Sequence, residues 1–270
     1  MSAPRLYEDR VVLVTGGTRG IGLGTALVFA AHGAQAVLTC RWGSADPAEL
    51  CRRFTELGAP PPLIIEADVG RSEDTERLFG TIKQAFGRVD AFISSASNAV
   101  TVQDLDDLTE RGFLKSMRAS AWPTVEYTLT AKKHLGRYPR HVVVMSSDGP
   151  DRFTPAYDFV AASKAAAETL VRYLAYRLRN EDFRINVLRS RAIKTDAFAD
   201  TFGNDFYDFL KDLVSEDWFV TVEEVANAVF ALCSGMFDAM TGQVVTADHG
   251  NTFADGISIL YENRESLGFE

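Results

Sequence analysis

The segment Thr15–Gly22 reads TGGTRGIG and lies between the apolar run Val11–Val14 and the helix-compatible stretch LGTALVFAAHG. Glycines in that pattern at a strand-to-helix turn suit one kind of ligand. Gly16 permits a tight turn, while Gly20 and Gly22 let the backbone approach a pyrophosphate resting on the helix N-terminus. Thr18, Arg19 and Ile21 are interleaved with them and belong to the same expected contact surface. A second signal follows the next apolar run. A domain that binds NAD usually offers a carboxylate there to the ribose hydroxyls, whereas this chain reads Thr39-Cys40-Arg41. Arg41 and Arg19 together suit a ribose 2′-phosphate through charge-assisted, bidentate hydrogen bonds, so the pair predicts NADPH over NADH.

Such turns need a parallel sheet to hold them. Short apolar runs recur at Val11–Val14, Ala36–Thr39, Leu63–Ile65, Ala91–Ser94, Val142–Met145 and Ile185–Leu188, with helix-compatible stretches between. The runs are continuous rather than alternating, as strands buried on both faces should be. A seventh, Gln243–Thr246, follows a helical pattern that begins near Val222, where Thr221 can cap and Glu224 can reciprocate. The fold class expected is α/β, a Rossmann-type three-layer α/β/α domain around a seven-stranded parallel sheet. No repeat or separating linker divides residues 1–270, so one domain is expected, with a C-terminal tail at 251–270 that the pattern does not place.

Composition narrows the function classes. The chain has 270 residues, 46% of them hydrophobic, enough for one sizeable core. A formal charge of −9 argues against a nucleic-acid or anionic-membrane surface. No run reaches the length of a membrane span and MSAPRLYEDR lacks the apolar core of a secretory signal, so a cytoplasmic location is expected. The three cysteines and four histidines show neither disulfide nor metal-ligand spacing, and no metal is expected.

TGGTRGIG, the Asp68-Val69 pair after the third run and TGQVVTADHG at 241–250 together resemble the short-chain dehydrogenase/reductase family over nearly the whole chain. The resemblance implies Asp68 and Val69 near the adenine, Ile193 and Thr195 near the nicotinamide carboxamide, and a homodimer or homotetramer. Some family positions differ. The usual Asn-Asn-Ala-Gly is Ser94-Ser95-Ala96-Ser97, with Ser95 and Ala96 still expected at the cofactor. The usual Pro-Gly is Ser190-Arg191, and Arg118 aligns with a helix asparagine.

The family's common Tyr-x3-Lys would put tyrosine at Val160; instead Tyr157 and Lys164 form Tyr-x6-Lys. That spacing, the Ser146-Ser147 pair and AIKTDA at 192–197 are similar to enoyl-acyl-carrier-protein reductase III. Residues seven apart on a helix share a face, so the phenol moves by about one turn. Hydride addition to an enoyl β-carbon develops charge on a carbonyl oxygen two carbons away, and a displaced donor suits it. The resemblance therefore implies that Tyr157 hydrogen-bonds or protonates an enolate, that Lys164 holds the ribose hydroxyls, and that Ser147 is a second polar contact. The substrate implied is an acyl-CoA or acyl-carrier-protein thioester. A lid is expected at about 196–220, where Phe198, Phe202 and Phe206 either touch substrate or pack as an amphipathic helix, or both. Two other readings stay open: a ketoreductase or imine reductase with a relocated tyrosine, and a catalytically silent nucleotide-binding subunit.

Overall fold

Val11–Thr15 forms β1, and its consecutive side chains enter two different cores: Val12 and Val14 on one face of the sheet, Val11 and Leu13 on the other. A period of two with both faces covered is why the run is apolar throughout. In this computed structural model residues 5–41, 46–97, 100–191, 193, 195, 208–210, 218–265 and 268 are described.

The chain continues as α1 (Gly20–Ala31), β2 (Gln35–Cys40), α2 (Pro47–Glu56), β3 (Leu63–Glu66), α3 (Ser72–Ala85) and β4 (Ala91–Ser94). The second half comprises α4 (Glu110–Ser116), a π turn (Met117–Ala121), α5 (Trp122–Leu135), β5 (His141–Ser146), α6 (Asp158–Arg177), β6 (Arg184–Ser190), α7 (Val222–Cys233), β7 (Val244–Ala247) and α8 (Gly256–Glu262). The seven strands are all parallel in the order β3-β2-β1-β4-β5-β6-β7, so the order reverses at β1. The Rossmann-type three-layer architecture expected from the sequence is the one observed. Strands run one or two residues past most of the apolar runs, and β7 begins one residue later than its run.

One core contains Phe29 of α1, Leu50 and Phe54 of α2 and Val225, Val229 and Phe230 of α7; the other contains Leu78 and Phe79 of α3, Tyr127 of α5 and Val171 of α6. Tyr7 closes the first core edge-on to Phe29, ring centroids 4.7 Å apart, and donates its hydroxyl to the Cys233 carbonyl at 2.8 Å. Each fully buried ring of this kind stabilises the fold by about 1.5–3 kcal/mol. α7 starts with the expected capping box, Glu224 N donating to Thr221 Oγ1 at 3.2 Å and Thr221 N to Glu224 Oε2 at 2.8 Å. The segment after Asn251 includes α8, capped by Asp255, with none of its side chains buried.

The π turn interrupts the run from α4 into α5 where Pro123, lacking an N–H, follows at the start of α5. A single π turn of this sort widens a helix locally and often borders a functional site. Here it carries Arg118 and Ser120.

Candidate functional site

A cavity of about 350 Å³ opens at the carboxyl ends of β1, β2 and β4, where the strand order reverses. Ligands of open α/β sheets bind at such a switch point. Its floor is the glycine turn, with Gly16, Thr18, Arg19, Gly20, Ile21 and Gly22 all on the wall. A Cβ on Gly22 would fall 2.2 Å from the Gly16 carbonyl oxygen, so only glycine allows the turn to fold this tightly against α1. Gly20, with φ at +53°, takes a conformation that favours glycine. Arg19 is the N-cap of α1 but makes no side-chain cap, and the first turn carries no acid. An anion therefore meets the helix N-terminus without a competing carboxylate. The residues fit the pyrophosphate of a dinucleotide.

Arg41, Asp68, Val69, Ser95, Ala96 and Thr195 line the same cavity. Arg41 pairs with Asp68 at 3.6 Å, and Asp68 also accepts from Gly70 N at 2.9 Å, so the second-strand cation is braced from the end of β3. Thr15 Oγ1 accepts from Ser95 N at 3.1 Å and Ala96 N at 3.2 Å, which holds the altered serine-rich turn against β1. Ser97 and Ser120 of the π turn share a hydrogen bond of 3.1 Å. Ile193, expected near the carboxamide, has its side chain in the α1/α7 core rather than on the cavity wall. Thr39, Cys40, Ala67, Ser97 and Ala119 are wall residues that the motif did not single out. Arg118 is exposed, its Cγ 3.9 Å from where a Cβ on Gly70 would lie.

Tyr157 meets Ser147, while Lys164 lies on the helix that Tyr157 precedes and reaches the carboxyl end of β5. Tyr157 Oη donates to Ser147 Oγ at 3.3 Å, and Gly149 N donates to the same oxygen at 3.3 Å, so the serine's own proton is free to point elsewhere. Helical spacing alone does not explain where the phenol sits, because Tyr157 is the N-cap of α6, with φ −106° and ψ 6°, and not a residue within it. Its direction comes from the loop before it, where Ala156 holds the left-handed φ of 61° that a non-glycine residue adopts only under constraint. Val160, at the family's usual tyrosine position, is 2% exposed. Burial pushes the Tyr157 phenol above its ordinary range and the Asp148 charge adds to this, while the Ser147 hydrogen bond acts the other way. The phenol thus keeps its proton at neutral pH and can donate it.

Lys164 donates Nζ to the Met145 carbonyl at 2.8 Å and is buried. Burial lowers its pKa to about 8, and the Glu168 carboxylate one turn away opposes the shift. Glu168 is itself held, accepting from Ser146 Oγ at 2.7 Å and from Arg189 Nε and Nη2 at 2.7 Å each. Arg189 reaches on to Asp151, and Arg191 pairs with Asp148 at 3.3 Å. Neither ion pair was legible in the sequence. Ser190-Arg191 stood out in the sequence as a departure from Pro-Gly.

The expected substrate residues Phe198, Phe202 and Phe206 lie outside the described residues, as does most of the expected lid. At its far end Trp218 and Phe219 meet edge-on at 5.5 Å, and Asn251 Nδ2 donates to the Trp218 carbonyl at 2.6 Å. Among the described residues no three His, Cys, Asp or Glu converge as metal ligands, and no helix is long and apolar enough to cross a membrane.

A family model described as Enoyl-(Acyl carrier protein) reductase matches residues 16–252. An enoyl-[acyl-carrier-protein] reductase [NADH] of Aquifex aeolicus is 29% identical over 255 residues, covering 91% of this chain and 92% of that protein. A 1-cyclohexenylcarbonyl-CoA reductase of Streptomyces collinus is 29% identical over 257 residues, covering 93% and 91%. The solved structure of a short chain dehydrogenase from Burkholderia cenocepacia in complex with NADP superposes with a TM-score of 0.80 at 24% identity, covering 92% of this chain and 99% of that one, a likeness of fold.

Proposed function

The chain belongs to the enoyl-(acyl carrier protein) reductase family of the short-chain dehydrogenase/reductase superfamily, and on that premise we propose that it reduces the carbon–carbon double bond of a 2-enoyl thioester with NADPH. One observation carries the reading. Tyr157 stands at the N-terminal entrance of α6 beside Ser147, seven residues before the buried Lys164, while the apolar Val160 occupies the position from which a ketone would be protonated.

When bound, the nicotinamide dinucleotide would supply hydride to the β-carbon. The glycine turn Gly16–Gly22 and the N-terminus of α1 hold its pyrophosphate, with Thr18, Arg19 and Ile21 alongside. Arg41 and Arg19 hold a 2′-phosphate, Asp68 and Val69 border the adenine, and Ser95, Ala96 and Thr195 approach the nicotinamide half, with Ile193, whose side chain is in the core, near it through its backbone alone. The Aquifex relative is named for NADH. Preference for NADPH here rests on the two arginines and on the absence of a carboxylate at the end of β2.

Tyr157 then donates to the carbonyl oxygen as enolate charge develops, with the Ser147 hydroxyl as a second donor. Lys164 holds ribose hydroxyls and, being mostly protonated at neutral pH with its pKa near about 8, stabilises negative charge nearby. Contact with an apolar acyl group and exclusion of water are assigned to the expected lid at 196–220 with Phe198, Phe202 and Phe206, most of which lies outside the described residues. The name of the Streptomyces relative supports a CoA ester as the thioester; an acyl-carrier-protein ester fits the same chemistry. The working form is a cytoplasmic homodimer or homotetramer of a single-domain chain.

The test is a mass-spectrometric product assay with NADPH over paired 2-enoyl and 3-ketoacyl thioesters, each as CoA and carrier-protein esters. Saturation of the enoyl substrate with the ketone untouched is expected, along with a large loss of kcat in Tyr157→Phe and little change in NADPH binding. Clean ketone reduction, or full activity in the phenylalanine variant, would sink the mechanism.

A further inference from the structure

Two arginines two residues apart, Arg189 and Arg191, leave the end of β6 and reach two aspartates of the loop that leads from β5 to Tyr157. Arg189 joins Asp151 and the buried Glu168. Arg191 Nε lies 3.3 Å from Asp148 Oδ2, with the Asp148 side chain 14% exposed. The second contact differs in what it neighbours. Asp148 directly follows Ser147, the residue hydrogen-bonded to the Tyr157 hydroxyl, and the next residue, Gly149, packs against the Tyr157 ring. Arg191 also lies over the Trp218 ring, 5.7 Å from its centroid, and its charge is felt by Asp248 after β7. It therefore links the catalytic loop, the end of β6 and the far end of the expected lid.

A carboxylate held among these residues bears on the chemistry. Negative charge that develops on a substrate oxygen at Tyr157 would be opposed by an unpaired Asp148, in surroundings where water screens poorly. We propose that Arg191 is a positioning residue: it holds the Asp148 carboxylate and cancels its charge beside the Tyr157 phenol. This rests on the reading of Tyr157 as the donor to that oxygen. Arg189 does not substitute, since its guanidinium is taken up by Glu168 and Asp151. Arg191 acts through Asp148 and touches no reacting atom, so its role is electrostatic compensation, with a planar face left for Trp218.

The experiment is a double-mutant cycle on the full-length chain, with kcat, NADPH affinity and thermal unfolding measured for each variant. Arg191→Ala should lower kcat on the order of tenfold with NADPH affinity nearly unchanged, as expected of one uncompensated charge near the reacting oxygen. Arg191→Lys, which keeps the charge and loses the plane, should stay close to wild type in kcat. Asp148→Asn introduced into Arg191→Ala should recover most of the loss, because it removes the charge that needed cancelling. A purely structural tie would give no such rescue, and a double variant as slow as Arg191→Ala overturns the proposal. So does a lysine variant as impaired as alanine, or an alanine variant with full turnover. If Arg191→Ala does not fold, Arg191→Gln keeps the length of the side chain and enters the same cycle. A wild type that reduces only the ketoacyl ester refutes the enoyl reading while the cycle is still read on that ketone, and one that reduces neither ester refutes both.

Discussion

A Cβ on Gly149 would fall 2.8 Å from Cε1 and 2.9 Å from Cδ1 of Tyr157, so the phenol ring lies directly against the Gly149 position. The loop between β5 and α6 thus aims the tyrosine from two sides, with Gly149 against the ring and the left-handed Ala156 immediately before it in the chain. Ser147 receives both the Gly149 N–H and the Tyr157 hydroxyl, which makes the three residues one unit.

Gly149→Ala should therefore displace the phenol and lengthen its 3.3 Å contact to Ser147. A misplacement of about 1 Å at a reacting group costs up to about a hundredfold in rate. The phosphate loop lies on other elements, so NADPH affinity should hold. Steady-state kinetics beside a fluorescence titration of NADPH separates the two effects, and an alanine variant with wild-type turnover would show that the ring has room to spare.

Arg41→Ala should raise the KM for NADPH and leave the weaker use of NADH almost unchanged. Loss of one charge-assisted phosphate contact costs roughly 1.5–3 kcal/mol. Asp68, left without its partner at 3.6 Å, adds repulsion toward the 2′-phosphate. Arg19→Ala should follow in the same direction with a smaller effect. A wild type that prefers NADH in a direct kinetic comparison would remove the basis for both assignments.

Lys164 should make stability depend on pH in a defined window. Burial lowers its pKa in the folded chain from the ordinary 10.5 to about 8. Between those two values the unfolded chain binds the proton that the folded chain has released, so stability rises with pH across the window. Below it the lysine is charged in both states and the burial penalty is felt in full. The gain relative to Lys164→Met should approach about 3 kcal/mol. Urea unfolding of both proteins without cofactor at about pH 7 and about pH 10 measures it, and a difference that stays flat with pH would mean that Lys164 is better solvated than its burial indicates.

The backbone plan was legible in the sequence because it is local chemistry. Val11–Val14 and its counterparts could be read as strands from their continuous apolar character, TGGTRGIG as a phosphate turn from its glycines, and Thr221 with Glu224 as a helix start from a spacing of three. Each depends on neighbours within one turn or one strand. Arg41 at the end of β2 was legible for the same reason, although its pairing with Asp68 was not. Tyr157 and Lys164 were visible as a pair, yet helical spacing placed both within one helix, whereas the tyrosine stands at the helix entrance and takes its aim from Gly149 and Ala156. Tertiary structure alone decided the burial of Lys164 against the Met145 carbonyl, the clasp of Arg189 on Glu168 and the pairing of Arg191 with Asp148. Those contacts join side chains from different strands, helices and loops. Desolvation and charge pairing follow distances in space, which the order of residues along the chain does not specify until the sheet has assembled.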